Sequence, residues 1–179
     1  GINRTMVQIR ELDPATETLV ERANFKQGED APEIYGDLST RSGTRHRIAL
    51  AEGVSAWQVV QSLIGIEVLA GQLEDVPDEG SIAPDSYEVR QGDSRQSVIN
   101  RMMAAQEAVL IEAWETRAEG LPLTTPHEAL ILASIIEKET ALAAERDQVA
   151  SVFINRLNRG IALQTDPSVI YGLTQGKSA

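Results

Sequence analysis

Hydrophobic and polar residues follow patterns that predict short strands in the first half of the chain. Arg45–Leu50 alternates polar and apolar residues, which is typical of a half-buried strand. Two shorter β-compatible runs, 6–10 and 18–21, predict a hairpin before it. After it, the pattern predicts a helix from Ser55 to Leu63 and a brief strand at Tyr87–Val89.

The second half of the chain is predicted to be mainly helical. Thr125, Pro126 and Glu128 form a capping-box signal with proline at the first helical position. Gly160 stands where a left-handed residue would end a helix. The predicted helices are 66–73, 93–119, 126–142, 144–158 and 167–171, and a further strand is predicted at 161–164.

These elements favour an α+β protein, in which a small β-containing N-terminal module precedes a mainly helical region with short strands. A chain of 179 residues can hold one good domain, or a small module joined to a larger one. We expect an N-terminal region at 1–46, a small α+β module at 47–92 and a helical region at 93–179.

Composition excludes several classes of function. The net charge of −11 and the lack of a Lys or Arg cluster argue against a nucleic-acid partner. With 0 cysteines, the chain has neither disulfides nor thiolate metal sites. Nucleotide-binding, α/β-hydrolase and zinc-protease motifs are all absent from the sequence. We therefore expect no cofactor and no metal site.

Two acids on one predicted helix are the strongest candidates for chemistry. The helix over 126–142 is apolar nearly all round, and such helices are normally buried. At about 100° per residue, Glu139 falls on the stripe of Leu132 and Ile135. Glu137 points almost the opposite way, so the two carboxylates cannot face one bond.

Two interpretations of these acids remain open from the residues alone. One acid could lie in a desolvated cleft, where burial raises a carboxyl pKa and suits a general acid. Alternatively, Glu137 and Glu139 are solvated charges at a helix end that pair with Lys138 or Arg146. The segment taken alone favours the second interpretation.

Other polar residues carry weaker signals. His46 and His127 are isolated from each other, so neither is assigned a role. Asn155, Gln164 and Asp166 interrupt apolar stretches. Such residues hydrogen-bond sugar hydroxyls or tie loops to helix ends, and the sequence favours neither use.

Five motifs in one order resemble the YceG-like family, the endolytic murein transglycosylases of the MltG type. The similarity covers roughly residues 45–175. The motifs are Ala51-Glu-Gly53, Glu79-Gly-Ser-Ile-Ala-Pro-Asp-Ser-Tyr87, Ala133-Ser-Ile-Ile-Glu-Lys-Glu-Thr140, Val149-Ala-Ser-Val-Phe-Ile-Asn-Arg-Leu157 and Leu163-Gln-Thr-Asp-Pro-Ser-Val-Ile-Tyr-Gly172.

The resemblance implies a bacterial lytic transglycosylase, a lyase that cleaves the MurNAc–GlcNAc β-1,4 bond of peptidoglycan and leaves a 1,6-anhydro-MurNAc end. The family's catalytic glutamate corresponds to Glu139, with Glu137 as the fallback. A single acid is sufficient because the nucleophile belongs to the substrate. We expect Asn155, Gln164, Asp166 and Tyr171 to bind the glycan.

The resemblance also implies a setting for the chain. It predicts a LysM-like N-terminal module and a single-pass anchor in the bacterial inner membrane, with this region facing the periplasm. The anchor itself is expected to lie outside this sequence. The implied partners are peptidoglycan glycan strands, with cell-wall synthases as further candidates.

The sequence departs from the family pattern at its C-terminal end. The family continues well past the position of Tyr171-Gly172, and the corresponding segment does not follow here. We therefore expect a catalytic region truncated at its C-terminus. The alternative to an active enzyme is an inactive fragment that only binds peptidoglycan or a protein partner.

Overall fold

The computed structural model describes residues 7–12, 19–24 and 45–177, so most of the predicted region 1–46 lies outside the described residues. The α+β class predicted from the sequence is confirmed. The elements are β1 (Val7–Leu12), β2 (Leu19–Asn24), β3 (Arg45–Leu50), α1 (Ala56–Ile64), β4 (Ser86–Arg90), α2 (Arg95–Glu115), α3 (Pro126–Glu139), a short 3₁₀ helix (Ala143–Glu145), α4 (Arg146–Asn158) and α5 (Asp166–Thr174).

The chain divides into two compact units, and the boundary between Ala105 and Gln106 lies inside α2. In the first unit, the described strands form one antiparallel sheet in the order β2-β1-β3-β4. β1 and β2 pair with each other, as the two short N-terminal runs predict.

In the sheet of the first unit, β3 and β4 bury one face. Successive side chains of a strand point to opposite faces, so every second residue of β3 and β4 enters the core. Ile48 lies opposite Tyr87, and His46 lies opposite Val89; all four are buried. Burial raises the pKa of the Tyr87 hydroxyl, which donates to the Ala83 carbonyl at 2.8 Å.

Two helices complete the core of the first unit. Ser55 and Gln58 form a capping box at the start of α1, and α1 then buries Val59, Val60 and Leu63 against the sheet residues. The first half of α2 adds three fully buried side chains, Val98, Ile99 and Met102.

Arg95 fixes the end of α1 to the start of α2. Its guanidinium donates to four carbonyl oxygens, at distances from 2.7 to 3.1 Å. A planar guanidinium has five donors in a fixed fork, which suits such a cluster of acceptors. The four acceptors belong to Leu63, Ile64, Ile66 and Gly71.

The second unit is helical, and α3 packs against α4 and α5. Its core has three buried side chains, Leu132 and Ile135 from α3 and Phe153 from α4. Partly buried apolar residues surround these three: Leu123, Ile136, Val149, Ile154, Leu157 and Leu163.

The structure corrects several predicted elements. The predicted helix at 66–73 is irregular backbone with one turn and an isolated bridge from Ala70 to Ser94, and the predicted strand at 161–164 is an irregular loop. α3 ends at Glu139 rather than near Leu142. The expectation that α3 is buried all round is also wrong, because only Leu132 and Ile135 are buried along it.

The division of the sequence into 1–46, 47–92 and 93–179 stays a prediction, as does the LysM-like character of the N-terminal module. Within the described part of the chain, each helix falls short of the length and apolarity that a bilayer-spanning segment requires. The inner-membrane anchor therefore also stays a prediction.

Candidate functional site

The C-terminal end of α3 carries the two candidate acids. Thr140 stops the helix because it adopts an extended backbone, with φ −141° and ψ 133°. Its buried hydroxyl donates to Glu145 Oε2 at 2.9 Å and accepts from the Leu142 backbone N–H at 3.1 Å. The helix therefore ends immediately after Glu139, which leaves that carboxylate at a fixed helix terminus.

The two acids have different partners. Glu137 Oε2 lies 2.8 Å from Arg146 Nη2, in an ion pair between α3 and the first residue of α4. Glu139 Oε1 instead accepts a hydrogen bond from the Thr165 hydroxyl. Helical phase alone predicts that the two carboxylates diverge, and the different partners agree with this.

Thr165 is the residue that sequence reasoning missed. It precedes α5 at the N-cap position, where a threonine normally accepts a hydrogen bond from the helix backbone. Here the side chain makes no capping bond; it is 4% exposed and donates to Glu139. The Asp166-Pro167 pair signals only the start of a helix, so nothing in the pattern singled this threonine out.

A well-anchored loop brings Thr165 to Glu139. The N–H groups of Gly160 and Ile161 bond the carbonyls of Leu157 and Arg156 at 3.0 and 2.9 Å. Gly160 has φ 64°, which confirms the left-handed ending predicted for α4, and the two bonds form a Schellman motif. The Arg156 guanidinium then donates to the carbonyl of Leu163, two residues before Thr165.

The four predicted glycan-binding residues have exposed side chains. Gln164 and Asp166 flank Thr165, the residue that bonds Glu139, in the chain. Asn155 lies on α4, and Tyr171 lies in the second turn of α5. Their contacts with glycan stay predictions.

The sequence profile of the YceG-like family matches residues 22–179. The chain belongs to the YceG-like family. The resemblance seen in the five motifs is thereby confirmed.

Two curated relatives of this YceG-like chain carry the name endolytic murein transglycosylase. The one from Streptococcus pneumoniae serotype 2 (strain D39 / NCTC 7466) is 36% identical over 100 residues, which cover 55% of this chain and 17% of the relative. The one from Bacillus subtilis (strain 168) is 34% identical over 101 residues, which cover 56% of this chain and 28% of the relative. The match thus spans less than a third of either relative.

Glu139 is exposed, so of the two interpretations left open by the residues, that of a desolvated cleft is wrong for Glu139. The reason is geometric. Ile135 and Leu132 enter the core one and two turns earlier, and α3 stops before the core could extend beneath the carboxylate.

In this arrangement, one oxygen of the Glu139 carboxylate is held in place by a hydrogen bond. Thr165 engages Oε1 of Glu139, and among the described residues Oε2 has no hydrogen-bond partner. Glu137 is occupied by Arg146. No group of acidic and histidine side chains in the described ranges could hold a metal ion. The chemistry this geometry favours is proton transfer by a single carboxyl group.

Proposed function

We propose that this chain is the catalytic region of a lytic transglycosylase that cleaves glycan strands of peptidoglycan endolytically. Membership of the YceG-like family supports the proposal, as do two relatives named endolytic murein transglycosylase. The observation that carries it is the contrast between the two acids. Glu139 keeps one carboxylate oxygen open beside a buried hydroxyl, whereas Glu137 is paired with a cation.

In the proposed reaction, Glu139 acts first as an acid and then as a base. Its carboxyl group gives a proton to the glycosidic oxygen as the bond from MurNAc C1 to that oxygen breaks. The MurNAc 6-hydroxyl then closes onto C1 and returns its proton to the Glu139 carboxylate. The products are a free GlcNAc 4-hydroxyl and a 1,6-anhydro-MurNAc end, and no water is consumed.

A single carboxyl group is enough for this reaction. Ordinary glycosidases need a second carboxylate as a nucleophile or to activate water. Here the nucleophile is a hydroxyl of the substrate, already held close to the anomeric carbon, and intramolecular attack has a large entropic advantage. The pairing of Glu137 with Arg146 therefore does not impede the mechanism.

Four exposed residues are proposed to bind the glycan. Gln164 and Asp166 flank Thr165 and would bond hydroxyl or amide groups near the scissile bond. Asn155 would do the same from α4. Tyr171 offers an aromatic face of the kind that packs against apolar surfaces, and its phenol offers a hydrogen bond.

We also propose a periplasmic setting, with this region held near the cell wall by an inner-membrane anchor and preceded by a LysM-like module. Peptidoglycan strands are the proposed substrate, and cell-wall synthases are candidate partners. The names of the relatives support the substrate class; the anchor, the module and the synthases rest on the family resemblance.

The test is digestion of purified peptidoglycan by the full-length form of the protein in oxygen-18 water. We expect 1,6-anhydro-MurNAc ends by mass spectrometry, without incorporation of oxygen-18, and loss of these products in Glu139→Gln. New reducing ends that carry the label would identify a hydrolase and overturn the proposal.

A second candidate function is binding without catalysis, which the exposure of Glu139 favours. An acid that stays in water lacks the desolvation that usually adapts a carboxyl group to proton donation. In that case the chain would bind glycan with equal affinity in the wild type and Glu139→Ala, and the digestion would yield no product.

A further inference from the structure

The buried hydroxyl of Thr165 makes a hydrogen bond that is unusual for a threonine at the N-cap position of a helix. Threonine at an N-cap ordinarily accepts a bond from the second or third helical N–H, and that bond stabilises the start of the helix. In α5 the Thr165 side chain makes no such bond, although its backbone occupies the N-cap. The hydroxyl is aimed at the end of α3 instead.

Local features of α5 make this diversion tolerable. Pro167 lies in the first turn and has no N–H to be capped, and Asp166 puts a negative charge at the positive end of the helix dipole. Ser168 Oγ donates to the Thr165 carbonyl at 2.7 Å, which adds a further bond within this first turn. The helix can therefore begin without a threonine cap.

The backbone before Thr165 is held in a conformation that costs free energy. Gln164 has φ 52°, in the left-handed region that non-glycine residues seldom adopt. Such residues persist where the surrounding structure determines the backbone, and they concentrate at functional sites. Here the surroundings are the Arg156 bond to Leu163 on one side and the buried Thr165 on the other.

We infer that Thr165 is a positioning residue for Glu139: its hydroxyl holds Oε1 and thereby directs Oε2 toward the glycosidic oxygen. The inference rests on the proposed function of Glu139. The residue acts through the acid, since its single donor is already used by Oε1. Without it, an exposed glutamate at a helix end would sample several rotamers, few of which present Oε2 to the substrate.

The test uses Thr165→Val and Thr165→Ser in the full-length form, with peptidoglycan as substrate. Valine keeps the shape and removes the donor, so we expect kcat to fall about 10- to 100-fold with KM unchanged, as for loss of a hydrogen bond to a charged group. Serine keeps the donor and should restore kcat to within about threefold of the wild type. Thr174→Val is the matched control, because Thr174 Oγ1 only bonds the Ile170 carbonyl of the same helix.

A second measurement does not depend on activity. The carboxyl carbon-13 resonance of Glu139 should shift in Thr165→Val and stay in place in Thr165→Ser and Thr174→Val. Wild-type kcat in Thr165→Val, or an equal loss of kcat in the valine and serine variants, would overturn the inference. An unshifted Glu139 resonance in the valine variant would overturn it as well.

The same variants distinguish a failure of the proposed function from a failure of the inference about Thr165. If Glu139→Gln retains activity, Glu139 is not the acid, and the proposal falls together with the inference. If Glu139→Gln is inactive while Thr165→Val is fully active, only the positioning role of Thr165 is lost. Melting temperatures of all variants, expected to be equal within a few degrees, exclude unfolding as the cause.

Discussion

The two compact units bury their apolar side chains to different degrees. In the first unit, α2 alone contributes three side chains that are at most 1% exposed, Val98, Ile99 and Met102. In the second unit, the most deeply buried apolar residue is Phe153, at 5%, and α3 contributes Leu132 and Ile135 at 7% and 8%. Large apolar side chains also remain exposed along α5, namely Val169, Ile170 and Leu173.

The two units therefore differ in what they contribute: the first provides a stable scaffold, and the second carries the candidate catalytic residues. Thirteen buried residues form the core of the first unit, which offers a scaffold but no candidate site among its described residues. The second unit carries Glu139, Thr165 and the proposed glycan-binding residues on a core of three buried side chains. We therefore expect that hydrogen bonds, more than packing, hold the candidate catalytic residues of the second unit in place.

The largest predicted effects come from matched isoleucines in the two cores. Ile99→Ala should lower the free energy of unfolding of the first unit by about 4 kcal/mol, because a fully buried site leaves a cavity. Ile135→Ala should cost the second unit about 2–3 kcal/mol, since its shallower site can relax. Denaturant unfolding followed through Trp57 and Trp114, one in each unit, would measure both.

Ile131→Ala is the control, because Ile131 also lies on α3 but is 47% exposed. Its cost should stay within about 0.5 kcal/mol. If Ile135→Ala proves as costly as Ile99→Ala, the two cores are equally tight and the comparison fails.

Substitution of one arginine in each unit should give the next largest difference in stability between the units. Arg95→Ala should destabilise the first unit by about 2–3 kcal/mol, because four carbonyls lose a charged donor at once. Arg156→Ala, which releases the Leu163 carbonyl, should cost about 1 kcal/mol by the same unfolding measurement. It should, however, reduce peptidoglycan cleavage, since the loop before Thr165 loses its anchor. An Arg156→Ala variant with wild-type cleavage would show that the loop needs no anchor.

Loss of a helix cap should lower the free energy of unfolding of the two units by the same amount. Ser55→Ala at α1 and Thr125→Ala at α3 should each cost about 1 kcal/mol, because each side chain accepts a bond from the third helical N–H. Thermal unfolding of both variants checks this. A cost in one unit several times that in the other would mean that local helix signals, and not burial alone, separate them.

The smallest predicted effect depends on pH. The Thr124 backbone N–H and hydroxyl donate to Glu128 Oε2 at 2.6 and 2.9 Å and hold the pKa of this carboxyl below its ordinary value of 4.5. A lowered folded-state pKa stabilises the protein above the unfolded-state pKa, and the gain disappears as pH falls through the lowered value. Glu128→Gln should therefore lower the melting temperature slightly at neutral pH and leave it unchanged in strong acid. An equal difference at both pH values would contradict this.

Local signals in the sequence predicted the elements whose causes are local. The caps at Ser55 and Thr125 and the glycine ending at Gly160 were confirmed, although the box at Thr125 is only half formed, since the Glu128 side chain bonds Thr124 instead. Each cap depends on residues within one turn. Pattern alone is sufficient for such elements.

Prediction failed where tertiary contacts decide the backbone. The segment 66–73 has helical periodicity, but its carbonyls are taken by distant donors. Arg95 binds those of Ile66 and Gly71, and the Gly92 N–H binds that of Val68. These long-range bonds hold the backbone of the segment away from the regular i-to-i−4 pattern that a helix requires.

Only part of the candidate site could be predicted from the sequence, because some of its features are local to one helix and others depend on tertiary contacts. Helical phase separates Glu139 from Glu137, because phase is a property of one helix. The Thr165 contact spans 26 positions in sequence and depends on how the loop after α4 returns to α3. The exposure of Glu139 likewise follows from where Thr140 ends the helix, which periodicity did not indicate.

We propose that Glu139, and not Glu137 two residues earlier, transfers the proton. The most direct measurement compares Glu139→Gln with Glu137→Gln in the full-length form, by the rate at which 1,6-anhydro-MurNAc ends appear from peptidoglycan. We predict a loss of about 1,000-fold or more in Glu139→Gln, as expected when an essential acid is removed, and a loss of less than about tenfold in Glu137→Gln. Equal losses, or a larger loss in Glu137→Gln, would contradict the account.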